Sequence, residues 1–130
     1  MKDLEIIIDP YPKPRMTRAD SWKRRPCVVR YWAYKDNLKK LSKELNYRPG
    51  ETLSLTFIIA MPKSWSNKKK EALNGKAHKQ KPDLDNLIKA FKDCLMVEDS
   101  HVHTYPFMRK IWGFTGKILV HRSEDEVEGL

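Results

Sequence analysis

The segment KPDLDN, residues 81–86, is where residue types and spacing come closest to a reaction. Asp83 and Asp85 stand one residue apart, directly after Lys81-Pro82, at what the downstream pattern marks as the first turn of a helix. A helix N-terminus favours anionic groups, so both acids can stay ionised while close together. A plainer use is also open: Asp83 can cap the backbone with help from Asn86, and a D-x-D pair is short enough to arise by chance. A second acidic pair, Glu98-Asp99, follows the same helix after only Leu95, Met96 and Val97. A helix over residues 84–95 rises about 1.5 Å per residue, roughly 17 Å in all, so Asp99 must be carried back on the next segment to meet the first pair. If it is, Asp83, Asp85 and Asp99 are three hard oxygen donors suited to Mg²⁺ held by carboxylates, waters and a substrate phosphate. Without a cation, their mutual repulsion would be costly.

Lys89 lies four residues after Asp85 and on the same helix face. One reading is an ordinary ion pair worth a few tenths of a kcal/mol, ~0.2–0.5. The other is catalytic, a cation that stabilises the charge building on a phosphodiester in the transition state. His101 and His103 alternate as they would on a strand, but no partner at ligand spacing accompanies them, so solvated or DNA-facing histidines are expected rather than a zinc site.

Several elements must position these groups. Within DLDNLIKAFKDCL, Leu84, Leu87, Ile88, Phe91 and Leu95 form one helical stripe, with Asp85, Lys89, Lys92 and Asp93 on the opposite half. Tyr31, Tyr34, Leu38, Leu41 and Leu45 predict another amphipathic helix over 31–47, ended by Arg48-Pro49-Gly50. Ser66 can cap a short helix through Leu73 that stops at Asn74-Gly75. Strands are expected at 4–8, at LSLTFIIAM, which is apolar enough to be central, and in a hairpin of RKIWGF and ILVHR turning at TGK, with Gly113 and Gly116 suiting a turn or bulge. Residues 10–30 read as a long basic loop. No internal repeat is visible.

The chain has 130 residues, 40% hydrophobic and 33% charged, which suits one domain with a heavily charged surface. We expect that domain over residues 1–122 and a flexible acidic tail over 123–130. No apolar run is long enough for a membrane span, and the opening MKDLEIIID does not read as a secretory signal. Cys27 and Cys94 make neither a zinc ribbon nor a disulfide scaffold, so a reducing cytoplasm is expected. Net charge is +9 overall; the tail holds four acids and no base, leaving 26 bases against 13 acids, a net +13, on the first 122 residues. Such a body points to polyanions, since neutralising phosphates releases condensed counterions from nucleic acid. The expected DNA contacts are Lys13, Arg15, Arg18, Lys23, Arg24 and Arg25 in the long loop, Lys68, Lys69 and Lys70 on the short helix, and Lys76, Lys79 and Lys81 in the connector KAHKQKPD. Trp22, Trp32 and Trp65 sit beside basic clusters and can either stack on unpaired bases or fill the core. Trp65 and Trp22 are favoured for contact over Trp32, whose helix needs a buried face.

KPDLDNLIKAFKDCL followed by VEDSHV resembles the core stretch of the RusA family of Holliday-junction resolvases, a D-x-D-N-x-x-K helix leading to a second acidic pair. PYPKPRMTR and the strand ending AMPK also resemble that family. The resemblance implies an α/β (α+β) fold, a small mixed β-sheet of about four strands packed against two or three helices. It further implies a homodimer that resolves four-way junction DNA by paired symmetric nicks, needing Mg²⁺, with Mn²⁺ as an alternative ion, and no small-molecule cofactor. By position, Asp83, Asp85 and Asp99 match the family's metal-binding aspartates and Lys89 its essential lysine. Glu98 replaces an aspartate often found there. Two other readings stay open on the sequence: a non-catalytic DNA-binding protein, and a metal-dependent nuclease that also cuts other DNA or RNA.

Overall fold

A computed structural model of the chain describes residues 3–15, 17, 25–96 and 99–122, with the side chain of Asp99 left out. The acidic tail, Arg18, Trp22, Lys23, Arg24 and Glu98 lie outside these residues. The order of elements is β1 (Leu4–Ile6), α1 (Pro26–Glu44), β2 (Leu55–Ala60), α2 (Asn67–Leu73), α3 (Leu84–Leu95), a 3₁₀ turn (Asp99–His101), β3 (Met108–Gly113) and β4 (Lys117–Val120). The result is the α+β fold expected, a four-stranded mixed sheet with three helices.

The sheet order is β1-β4-β2-β3, with β2 antiparallel to β4 and parallel to β3. LTFIIA, the most apolar strand, therefore takes an inner place, where both its edges are hydrogen-bonded. Register sets the faces. Leu55 and Phe57 lie opposite Val120 and Ile118, and Val120 and Ile118 lie opposite Leu4 and Ile6, so one face is apolar across three strands. Against it pack Tyr31, Tyr34 and Leu38 of α1 and Leu87, Ile88, Phe91 and Cys94 of α3.

The hairpin expected from RKIWGF and ILVHR does not form. β3 and β4 lie on opposite sides of β2, and residues 114–116 cross over its end, where Met61 N donates to Gly113 O at 2.9 Å. β3 thereby pairs with β2 in parallel and β4 pairs with it antiparallel, instead of the two pairing with each other. Both glycines serve this crossing. A Cβ on Gly113 would overlap Ile58 Cγ2, and one on Gly116 would overlap the Asp9 carboxylate and come within 2.9 Å of Asp9 Cα.

Helix α1 begins five residues earlier than the apolar stripe suggested, so Arg30 belongs to it and not to the basic loop. Pro26 stands at its start, where the missing N–H costs nothing, and Val28 extends the buried stripe by one turn. The helix stops before Arg48. Asn46 adopts φ 54°, and Asn46 N and Tyr47 N donate to Lys43 O and Ser42 O at 3.1 and 2.9 Å, which closes a Schellman motif. Trp32 falls on the outer side of α1 and is 40% exposed, contrary to the buried face expected for it. In α2 the Ser66 side chain accepts from Lys69 N at 3.2 Å, as the sequence suggested.

Because Asp9 Cα belongs to the backbone, the conflict at Gly116 cannot be relieved by a rotamer change. Gly116→Ala is expected to cost about 1–3 kcal/mol, read as a lower midpoint in urea unfolding. An unchanged midpoint would show that the crossing has room to spare.

Candidate active site

Helix α3 carries the site because its two halves differ. Leu87, Ile88, Ala90, Phe91 and Cys94 are buried, with the Phe91 ring edge-on to Phe57 at 6.5 Å and Cys94 Sγ donating to Lys35 O at 3.2 Å. Burial pushes the Cys94 pKa up to about 11, so at neutral pH it stays a thiol. Asp85 and Lys89 are exposed on the other half. Asp83 is the N-cap residue, also exposed, and its main-chain oxygen accepts from Leu87 N at 3.2 Å.

Neither of the two plainer contacts is made. The Asp83 side chain makes no capping hydrogen bond. Among the described residues, Asp85 and Lys89 form no ion pair with each other or with any other group. Two carboxylates and one ammonium therefore face solvent uncommitted at the start of a helix whose dipole favours anions there. Asp99 opens the 3₁₀ turn, and its side chain lies outside the described ones. Farther on, the chain comes back along α3: Lys92 Nζ donates to Tyr105 OH at 2.7 Å, and Lys110 lies beside residue 82. Among the described residues no group of three His, Cys, Asp or Glu side chains is placed to hold a metal.

The start of the basic loop is brought to this helix. Lys13, Pro14, Arg15, Asn86 and Lys89 line a shallow hollow of about 410 Å³. Lys13 Nζ also pairs with Asp93 Oδ2 at 2.5 Å, which lays the loop along α3. Arg25 Nη2 donates to Arg15 O at 2.8 Å, and Tyr11 OH donates to Cys27 O at 3.2 Å, tying the loop to the start of α1. Arg25 thus positions the loop. Lys68, Lys69, Lys76, Lys79 and Lys81 are exposed and Lys70 is half-buried.

Sequence reasoning missed Lys110. Its Nζ donates to Gln80 O at 2.5 Å and to Pro82 O at 2.6 Å, fixing the connector immediately before Asp83. The Lys81-Pro82 peptide in that connector is cis. The signal was strand parity: Lys110 alternates with Met108 and Trp112 on the helix-bearing side, an uncommon place for a lysine without a partner. The connector continues along the open edge of β3, with His78 N donating to Lys110 O and Trp112 N to Lys76 O. His101 and His103 are exposed, and a ring nitrogen of His103 lies 2.8 Å from Thr104 Oγ1.

Another constellation resembles a nucleophile triad. Thr56 Oγ1 is 2.7 Å from His121 Nε2, and His121 Nδ1 is 2.7 Å from Asp3 Oδ2. Thr56 is fully buried, so no substrate can reach its oxygen; the chain of contacts clamps β1 and the end of β4 to β2.

A small α+β sheet with uncommitted carboxylates at a helix start, a lysine one turn along and cations beside them is equipped to act on a phosphodiester. The family of Endodeoxyribonuclease RusA matches residues 8–113 of the 130, a span containing Asp83, Asp85, Lys89 and Asp99. The chain belongs to the RusA family, and its general activity is that of an endodeoxyribonuclease, a hydrolase that cuts DNA. No curated protein matches it. No helix among the described residues is long and apolar enough to cross a membrane.

His78 lies in the connector 4% exposed, its ring 4.2 Å from that of Trp112 and its Nδ1 without a hydrogen-bond partner. Burial, then the Lys110 charge, pushes its pKa below 6.5. The folded state therefore resists a proton that the unfolded chain accepts, so stability is fully present above pH ~6.5 and falls as pH drops through that value. His78→Phe keeps the ring contact and removes the proton. Between pH 7.5 and 5.5, urea unfolding should show the parent losing more stability than the variant, with a slope difference of at most about 1.4 kcal/mol per pH unit. Equal losses would place the acid sensitivity elsewhere.

Proposed function

We propose that this protein resolves four-way DNA junctions in recombination and repair by divalent-ion-dependent hydrolysis, acting as a homodimer that makes paired symmetric nicks. The observation that carries the reading is the pair of partnerless carboxylates, Asp83 and Asp85, beside a hollow shared by Lys89 and the loop cations Lys13 and Arg15. The donor set fits Mg²⁺ or Mn²⁺. Asp83 and Asp85 are exposed hard-oxygen ligands without a protein side-chain contact to give up, and the family resemblance adds Asp99. Once bound, the ion supplies Lewis-acid charge at a non-bridging phosphate oxygen and acidifies the attacking water.

The remaining work falls to the chain's own groups. Lys89 offsets negative charge at the five-coordinate phosphorus, where it is more useful than in the ground state. Lys13 and Arg15 hold neighbouring phosphates against the hollow, and Lys110 fixes the backbone from which Asp83 projects. Attack by water in line with the departing oxygen forms a new P–O bond and breaks the bond to the 3′ oxygen, leaving 5′-phosphate and 3′-hydroxyl ends that a ligase can seal. A two-fold junction needs two cuts, and a closed pair of subunits presents two equivalent sites.

Asp85→Asn keeps the shape of the side chain and removes its charge. Junction affinity measured without divalent ion should stay within about 3-fold, since phosphate contacts by many cations dominate binding. Cleavage in Mg²⁺ should fall by on the order of 10²-fold or more. A variant cutting at the parental rate would remove Asp85 from the site.

Lys110→Met keeps the length of the side chain and loses both hydrogen bonds to the connector. The Mg²⁺ concentration giving half the maximal rate should rise about 10-fold, the scale of outer-shell losses at metal sites, and Lys110→Arg should recover part of it. If the rate falls while the Mg²⁺ dependence stays put, Lys110 supports the fold alone.

A further inference from the structure

Upstream of the carboxylates in the chain, the connector residues Lys76, Ala77, Lys79 and Gln80 line an open groove of about 500 Å³ together with Trp65, Lys69, Leu73 and Trp112. Its floor is aromatic. The Trp65 and Trp112 rings lie 4.8 Å apart and are tilted by 56° to each other, with Trp112 only 6% exposed, and the His78 ring lies 4.2 Å from that of Trp112, tilted by 49°. Its rim is cationic, with Lys69, Lys76 and Lys79 and no acid among the lining residues. None of the three lysines is ion-paired among the described residues, and Lys69 Nζ instead rests over the Trp65 ring at 4.1 Å.

We propose that this groove takes an unpaired nucleotide of the DNA, its base stacked on the Trp65 indole and its flanking phosphates held by Lys69, Lys76 and Lys79. The inference deepens the nuclease reading and rests on it for the identity of the polymer. An aromatic floor within a positively charged rim is the combination that binds single-stranded nucleic acid without sequence preference, since every base has a π-face. Lys69 acts in both states: it covers the indole when the groove is empty and moves to a phosphate when a base arrives.

The groove also stands in the right place. Gln80 lines it, and Lys110 ties the Gln80 and Pro82 carbonyls together, so the groove and the Asp83 carboxylate flank one fixed stretch of backbone. Three residues from Gln80 to Asp83 span at most about 10 Å, about three nucleotides at the 3.4 Å rise of one strand. A base leaving the stack near a branch point can thus sit in the groove while a phosphate a few steps away faces the carboxylates.

The test uses the full chain without divalent ion and two DNA duplexes, one fully paired and one with a single bulged 2-aminopurine. The parent should bind the bulged duplex about 10-fold more tightly and quench the probe's fluorescence. Trp65→Ala should bind both alike with the quench lost, and Trp65→Phe should recover part of each. Should Trp65→Ala fail to fold by circular dichroism, Lys69→Glu combined with Lys76→Glu changes exposed positions only and should erase the same preference. Equal binding of the two duplexes by the parent, or a preference and quench that survive these variants, overturns the proposal. Junction cleavage in Mg²⁺ is scored separately: a bulge preference without cleavage sinks the nuclease reading alone, and cleavage without the preference sinks the groove alone.

Discussion

The apolar seam of α3 governs the direction of every charged group on that helix. Leu87, Ile88, Phe91 and Cys94 occupy one half of its circumference and are buried against β2, β4 and α1. With 3.6 residues per turn, Asp85 and Lys89 then have no direction open to them except outward, and one turn apart. Loss of a ring such as Phe91 would cost about 3–5 kcal/mol and would also release this orientation. Packing and placement of charge are here one constraint.

The seam alone leaves the entry to the helix undetermined. Asp83 precedes the first helical residue, and its side chain does not cap the backbone, so the N-terminus is held from outside. Lys110 does this through two carbonyls, and the pairing of residues 75–78 with β3 extends the attachment upstream. A buried or half-buried lysine is expensive unless its ammonium is satisfied. Lys110 is satisfied by main-chain oxygens alone, so its charge remains unneutralised a few residues from the two aspartates. That charge adds to burial, the larger cause, in lowering the proton affinity of His78.

Much of this was legible from spacing. The α3 stripe, the Ser66 cap and the inner position of LTFIIA each follow from a local rule with one strong solution. The hairpin was misread because TGK between two strand-like runs is a local signal, whereas the order β4-β2-β3 depends on a competing strand some fifty residues upstream. The start of α1 was hidden because Arg24, Arg25 and Arg30 gave that stretch the look of a basic loop, although Val28 stands one helical step before Tyr31. Asn46 was overlooked as the helix stop in favour of the louder Pro49-Gly50. Where the Asp99 side chain lies relative to α3 is not encoded in residue count at all, since spacing along a chain does not fix distance through space.

Net charge gives a further example of what a sequence total conceals. A body of +13 suggests that its cations are interchangeable, yet the fold divides them. Lys13 is engaged by Asp93, Arg25 by the Arg15 carbonyl, Lys92 by Tyr105 and Lys110 by the connector. A phosphate arriving at one of these must compete with a contact already made, and releasing that contact offsets part of the gain. Lys89, Lys76 and Lys79 carry no such cost among the described residues, and Lys69 gives up only a cation–π contact with Trp65. The number of counterions displaced on binding DNA should therefore follow the uncommitted cations rather than the sequence total. In the chain Lys69, Lys76 and Lys79 precede the Gln80 to Asp83 backbone and Lys89 follows it, so uncommitted cations bracket the stretch that ends at the carboxylates.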